Sequence, residues 1–218
     1  MTIRFVFCHG FGFNAHFWDP IAQYFSQEVC SFIDLGYFKR PMHLSELQET
    51  KIVGIGHSLG LLKLNRMYEN FDCLIGLNGF TDFLGRDRVL RETRLRELNE
   101  LRERFIKNPD RTLKSVYKRC GIPEFVDFCD FSDIDLNTAL ADIEFLKTKH
   151  DFSTVPTLII NSDNDTIVPF KIVEDNFLHR SNPYLRLDVM TNARHCLGFG
   201  KSSEVYTRIM SFLNEIFN

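Results

Sequence analysis

The sequence predicts an α/β domain: a mostly parallel central sheet flanked by helices, interrupted by a helical insertion at about residues 85–150. Three observations predict it. Short apolar runs alternate with segments of helical spacing between residues 3 and 80, and again after residue 155. The stretch between those regions is charged, helix-favouring and without a strand-like run. A chain of 218 residues, 44% hydrophobic and 25% charged, has material for one substantial core, so residues 1–218 are read as a single domain.

Each element follows from its own residues. "IRFVFCHG" (3–10) reads as a buried strand ending at a glycine turn. "FWDPIAQYFSQ" (17–27) has apolar residues at helical spacing, and "VCSFIDLG" (29–36) is a second strand. "KIVGIGHS" (51–58) is a third strand, followed by a helix from about Leu59 to Tyr68, and "CLIGLNGF" (73–80) is a fourth. In the insertion, 86–108, 111–121 and 136–149 read as helices. Alternation resumes with the strand in "VPTLIINSDNDTIVP" (155–169), a helix, the strand "LRLDVMT" (185–191) and a last helix, "SEVYTRIMSFLNEIF" (203–217).

Composition excludes several classes. No run approaches the roughly 18 apolar residues of a membrane span, and "MTIRFVFCHG" is too short an apolar run for a signal peptide. Cys8, Cys30, Cys73, Cys120, Cys129 and Cys196 are scattered, with no CxxC pair and no metal-ligand spacing. Reduced thiols, a cytoplasmic location and no metal or organic cofactor are expected. The pI of about 6.2, with no aromatics interleaved among the basic residues, argues against nucleic acid.

The stretch "GIGHSLGLL" (54–62) places Ser58 between Gly56 and Gly60 where a strand gives way to a helix. That is the pattern of a corner that lifts a serine hydroxyl into the open for attack. A hydroxyl is a weak nucleophile at neutral pH, so it needs an imidazole base, and the imidazole needs a carboxylate to hold its tautomer. Asp165, in "NSDNDTIVP", and His195, in "NARHCLGF", follow predicted strands in that chain order, at the sheet edge where such folds place their sites. Asp163 is the competing carboxylate. His57 is not the base, because its side chain should point away from the serine's pocket; His16, His43, His150 and His179 are read as surface or helix residues. Acyl transfer develops a negative oxygen that backbone N–H groups must meet. Leu59, after the serine, and Phe11, in "HGFG" (9–12), are the expected donors.

With these motifs in place, the chain resembles the α/β-hydrolase superfamily over nearly its whole length. "HGFGFNAHFW" (9–18) is similar to HGWGxNxxxW in the pimeloyl-acyl-carrier-protein methyl ester esterases of biotin synthesis, and "GHSLG" to their GWSLG. The insertion resembles their four-helix lid, and Leu136, Leu140, Leu146 and Asp151 echo their pattern. The chain departs from that pattern in four ways: it opens directly on the first central strand, it is short between Asp34 and Lys51, Leu61 stands where a second glycine is usual, and His57 replaces tryptophan. The resemblance implies hydrolysis of a methyl ester on an acyl chain carried by acyl carrier protein. A general carboxylesterase or thioesterase acting on small esters, and a non-catalytic binding module, are the alternatives.

Two further sets of residues bear on the substrate. Phe11, Trp18, Phe80 and Phe83 are candidates to line an acyl pocket, with core packing as the competing role for each. From Gly85 to Cys120, nine arginines and three lysines face six acidic residues, so this segment is +6 in a chain of net −3 and the remainder carries −9. Arg86, Arg88, Arg91, Arg94 and Arg96 are the candidates for docking an acidic carrier protein, against intrahelical ion pairing on a solvated face.

Overall fold

All six predicted strands form, and all run parallel. The computed structural model describes residues 2–38, 41–42, 51–67, 70–122, 133–150, 154–178 and 184–217; His43, Tyr68, Cys129, Asp151 and His179 lie outside them. The strands are β1 (Ile3–Cys8), β2 (Cys30–Ile33), β3 (Lys51–His57), β4 (Cys73–Leu77), β5 (Thr157–Ser162) and β6 (Leu185–Met190), ordered β2-β1-β3-β4-β5-β6. The inner strands β4 and β5 are buried throughout, as befits a parallel sheet covered on both faces. The edge strand β6 is half-exposed and carries Arg186 and Asp188 in an ion-pair cluster with Glu215 and Arg208. Charge at an edge deters pairing with another chain.

The chain begins on β1, steps outward to β2, then crosses back to β3. Adjacent loops after β1 and β3 therefore leave the sheet in opposite directions, which opens a crevice at their carboxyl ends. The register pairs Cys8 with Gly56, so "HGFG" emerges beside Ser58.

The helices are α1 (Asp19–Ala22), α2 (Leu59–Met67), α3 (Arg88–Lys107), α4 (Pro109–Cys120), α5 (Leu136–Phe145), α6 (Phe170–Phe177) and α7 (Gly198–Phe217). The helix expected over 17–27 is broken into a 3-10 turn at Ala15–Trp18, the four-residue α1 and a second 3-10 turn at Gln27–Val29. Pro20 has no N–H to donate and so restarts the helix instead of continuing it. Phe199 and Gly200 interrupt the start of α7, so its regular part begins near the predicted position.

Three helices fill the described part of the insertion, with α3 packed against both α4 and α5. Asp87 caps α3 through the Leu90 N–H (2.8 Å), Asn108 caps α4 through Arg111, and Asp135 caps α5 through Thr138 (2.8 Å). Buried contacts from Tyr117 and Asp142 help tether the insertion to the sheet body. Tyr117 Oη donates to the Gly12 carbonyl at 2.6 Å. Asp142 accepts from Tyr37 Oη at 2.5 Å and pairs with Lys63 on α2.

Candidate active site

Ser58 sits at the corner between β3 and α2 with φ +53, a left-handed backbone rarely seen in residues with a side chain. The flanking glycines make the corner sterically feasible. A Cβ on Gly56 would lie 2.4 Å from Leu61 N and Cα, and one on Gly60 would lie 2.1 Å from the Cys8 carbonyl oxygen. Leu61 has its own compensation. Its side chain presses on Gly76 and Gly79, where an added Cβ would come within 2.7 and 2.5 Å of Leu61 Cδ2. The extra side chain after the corner is thus absorbed by missing side chains on and just after β4.

His195 lies in the loop after β6 and is 3% exposed. Its Nδ1 donates to Asp165 Oδ2 at 2.7 Å, which leaves Nε2 with its lone pair. Asp165 is held in turn: Oδ1 accepts the N–H groups of Ile167 (2.7 Å) and Val168 (2.9 Å). The carboxylate of the competitor Asp163 accepts from Asn192 N–H (3.3 Å) and Ala193 N–H (3.5 Å), while the carboxylate bonded to His195 is that of Asp165. Burial pulls the His195 imidazolium downward, but the Asp165 charge and hydrogen bond outweigh it and hold the ring above its ordinary pKa.

Two residues fix the His195 backbone. Its carbonyl accepts from Asn78 Nδ2 at 2.5 Å and from His57 Nε2 at 3.1 Å. His57 stacks on Phe17 with ring centroids 4.5 Å apart, and burial drives its pKa well down, so it stays neutral. It faces away from catalysis, as expected, and acts as a brace for the His195 loop. Asn78 was not anticipated. It has φ +49 and also binds Ser162, and its signal is the Asn-Gly pair directly after β4.

Ser58, Leu59 and His195 line one cavity with about 690 Å³ of empty space, the solvent at its mouth included. Phe11, Phe80 and Phe83 line it as expected, joined by Phe13, Leu98, Leu101, Val116, Leu146 and Ile167. Among the described residues, no hydrogen-bond acceptor takes the backbone N–H of Phe11 or Leu59. Trp18 is not part of the lining. It is fully buried against Phe7 and Phe17, because the 3-10 turn directs it onto β1.

The five arginines expected to form a docking surface divide. Arg94 is 5% exposed and is a wall of the cavity: it binds Glu97 (3.0 Å) and the Ile167 carbonyl (2.8 Å) and lies over the Phe83 ring. Arg91 clamps the start of α3, bound to both oxygens of buried Asp82 and to the Gly85 carbonyl. Neither presents a free guanidinium to a partner. Arg86, Arg88 and Arg96 are exposed; Arg88 is paired with Glu92 and Arg96 bonds Thr93. Arg119 was missed. It is exposed, lines the same cavity, and among the described residues makes a long contact to the Thr166 carbonyl (3.5 Å). No grouping of three or more His, Cys, Asp or Glu suited to a metal ion occurs among the described residues, and no described helix is long and apolar enough to cross a membrane.

Solved structures share this architecture. An esterase from Exiguobacterium antarcticum superposes with a TM-score of 0.76 at 18% identity, over 97% of this chain and 91% of its own. A bromoperoxidase from Bacillus anthracis gives 0.78 at 17% identity, over 98% and 92%. A Bacillus megaterium epoxide hydrolase with a bound inhibitor gives 0.72 at 18% identity, over 98% and 94%. No protein-family model matches the sequence, and no curated protein is similar to it.

Proposed function

We propose that this chain, which has the α/β-hydrolase fold, is a serine carboxylesterase. The observation that carries the reading is the buried 2.7 Å Asp165–His195 bond, which leaves an imidazole lone pair in the cavity that Ser58 also lines.

The chemistry follows from these groups. Ser58 Oγ attacks the ester carbonyl as His195 Nε2 takes its proton. Asp165 keeps the proton on Nδ1 and stabilises the imidazolium. The carbonyl oxygen becomes an oxyanion and is met by the N–H groups of Leu59 and Phe11, each donor worth about 3–4 kcal/mol in the transition state. The imidazolium then protonates the departing alcohol. Water, deprotonated by the same nitrogen, hydrolyses the acyl-enzyme and frees Ser58. His195 supplies every acid and base step in this cycle, and the two nucleophiles are Ser58 and then water.

The substrate we propose is the methyl ester of a pimeloyl chain on acyl carrier protein, acted on in the cytoplasm. Support comes from the resemblance of residues 9–18 and 56–60, from the apolar cavity, and from Arg86, Arg88, Arg96 and Arg119 as cations available to an acidic carrier. Phe80 and Phe83, with ring centroids 5.1 Å apart, suit an aliphatic acyl chain. One observation favours a second reading, a general esterase or thioesterase for small free esters: Arg91 and Arg94 are engaged within the fold, which thins the docking surface. A binding module without catalysis has no use for a strained Ser58 in the same cavity as an oriented imidazole. The experiment is incubation with methyl pimeloyl-acyl carrier protein, following loss of the methyl group by mass. Turnover that weakens with added salt supports the carrier-bound substrate. Turnover of p-nitrophenyl esters with none of the carrier-bound ester selects the second reading.

A further inference from the structure

Two buried thiols adjoin the site and take no part in the chemistry above. Cys196 follows His195 in the loop after β6, and Cys120 ends α4 of the insertion. They are 3% and 2% exposed, and Cys120 lines the cavity of Ser58 and His195. Both are free thiols.

Their backbones are joined, with Cys196 N–H donating to the Cys120 carbonyl at 3.1 Å. A disulfide spans Cα atoms roughly 4.4–6.8 Å apart, a range that residues joined by one N–H···O=C bond can meet. The two thiols are near enough for each to shift the titration of the other. This close approach is built into the backbone. Gly121 has φ +85, and a Cβ there would lie 2.7 Å from Arg194 Cδ and 2.9 Å from Arg194 Cβ. Glycine lets the end of α4 press against the loop that carries His195.

The surroundings give the two sulfurs different chemistry. The hydrogen bond from Cys196 holds the Cys120 thiol below its ordinary pKa, opposed by burial and aided by His195. Burial pushes the Cys196 thiol well up, and its hydrogen bond to Cys120 adds to this. Cys120 lines the cavity and is the sulfur that an entering oxidant meets, so it is the nucleophile, and Cys196, outside the lining, is the resolving thiol.

We propose that Cys120 and Cys196 form a peroxide-reactive dithiol site, whose oxidation to a disulfide fastens the insertion to the His195 loop and lowers turnover. In the first step the Cys120 sulfur attacks one oxygen of hydrogen peroxide. The O–O bond breaks, the other oxygen leaves as hydroxide and collects the thiol proton as water, and Cys120 becomes a sulfenic acid. The Cys196 sulfur then displaces the sulfenic oxygen, which departs as a second water with the Cys196 proton. Two electrons pass from the sulfurs to peroxide and one S–S bond forms. The S–S bond holds the sulfurs about 2.05 Å apart, closer than two free thiols can approach, and it draws the residue beside His195 toward α4. A displacement of the order of 1 Å at such a position costs roughly a hundredfold in rate.

The test treats the full chain with hydrogen peroxide, alkylates the remaining thiols and reads the intact mass and the fragmented peptide map. The expected product has lost two hydrogens and joins Cys120 to Cys196. Its turnover of a p-nitrophenyl ester falls roughly a hundredfold and returns with dithiothreitol. Cys120→Ser and Cys196→Ser form no such link and lose none of their own turnover under the same treatment. Absence of the link, or a bond from Cys120 to Cys129 instead, overturns the site; a link that leaves turnover unchanged overturns its effect on the enzyme. Only the turnover arm rests on the esterase reading. In a Ser58→Ala variant the link is still expected by mass, so failure of the esterase reading and failure of the dithiol site are separable.

Discussion

Replacing Asp165 by asparagine isolates the step on which the proposed chemistry depends. Asp165 uses both oxygens: Oδ1 receives the Ile167 and Val168 N–H groups, and Oδ2 receives His195 Nδ1–H. The amide has one oxygen, and two backbone donors outbid one imidazole for it. Its NH₂ group then faces His195 Nδ1, which must turn from donor to acceptor. The proton moves to Nε2, and the ring can no longer take one from Ser58. Shape and volume are kept and the loop bonds survive, so the fold should hold. The expected loss in kcat is about 10⁴-fold, close to 5.5 kcal/mol, with KM nearly unchanged. Hydrolysis of p-nitrophenyl butyrate, with circular dichroism to confirm folding, measures it. A folded variant within tenfold of the parent would refute the assigned role of Asp165.

Other consequences can be checked together. Because Asp165 raises the pKa of His195, and only the neutral ring accepts a proton, kcat/KM should climb with pH and reach half its plateau above 6.5; a midpoint below that value contradicts the charge balance described. Gly60→Ala sets a Cβ 2.1 Å from the Cys8 carbonyl oxygen, backbone against backbone. It should cost about 3 kcal/mol or more, read as a fall in Tm of roughly 6–12 °C. Changing Arg86, Arg88 and Arg96 together to alanine removes three exposed charges worth about 0.2–1 kcal/mol each. The ratio of turnover on the carrier-bound ester to that on a free ester should then fall about tenfold and lose its salt dependence.

The sheet was legible because its inner strands are apolar runs ended by glycine, asparagine or aspartate, and because one register brings "HGFG" to Ser58. The candidate residues Ser58, Asp165 and His195 could be placed for the same reason, since each lies in the segment that follows a strand easy to see. Side-chain destinations were not. Trp18 and Phe80 are both large and aromatic, and only the tertiary direction of a 3-10 turn separates the buried core from the cavity wall. Arg91 and Arg94 look like Arg86 and Arg88 in the sequence. Arg94 is nevertheless buried on α3 facing Ile167, and Arg91 is drawn to Asp82, contacts formed only once β4, β5 and the insertion meet. Leu61 appeared as a departure from a glycine pattern, and its accommodation by Gly76 and Gly79 needs α2 packed against β4. Cys120 and Cys196, 76 positions apart, look scattered until α4 docks on the His195 loop.

The most direct measurement is covalent capture of the nucleophile. The full chain, incubated with a fluorophosphonate that phosphonylates activated serines, should gain a single adduct that maps to Ser58 and disappears in Ser58→Ala and, nearly so, in Asp165→Asn. An unmodified protein, or an adduct on any residue other than Ser58, would contradict the account.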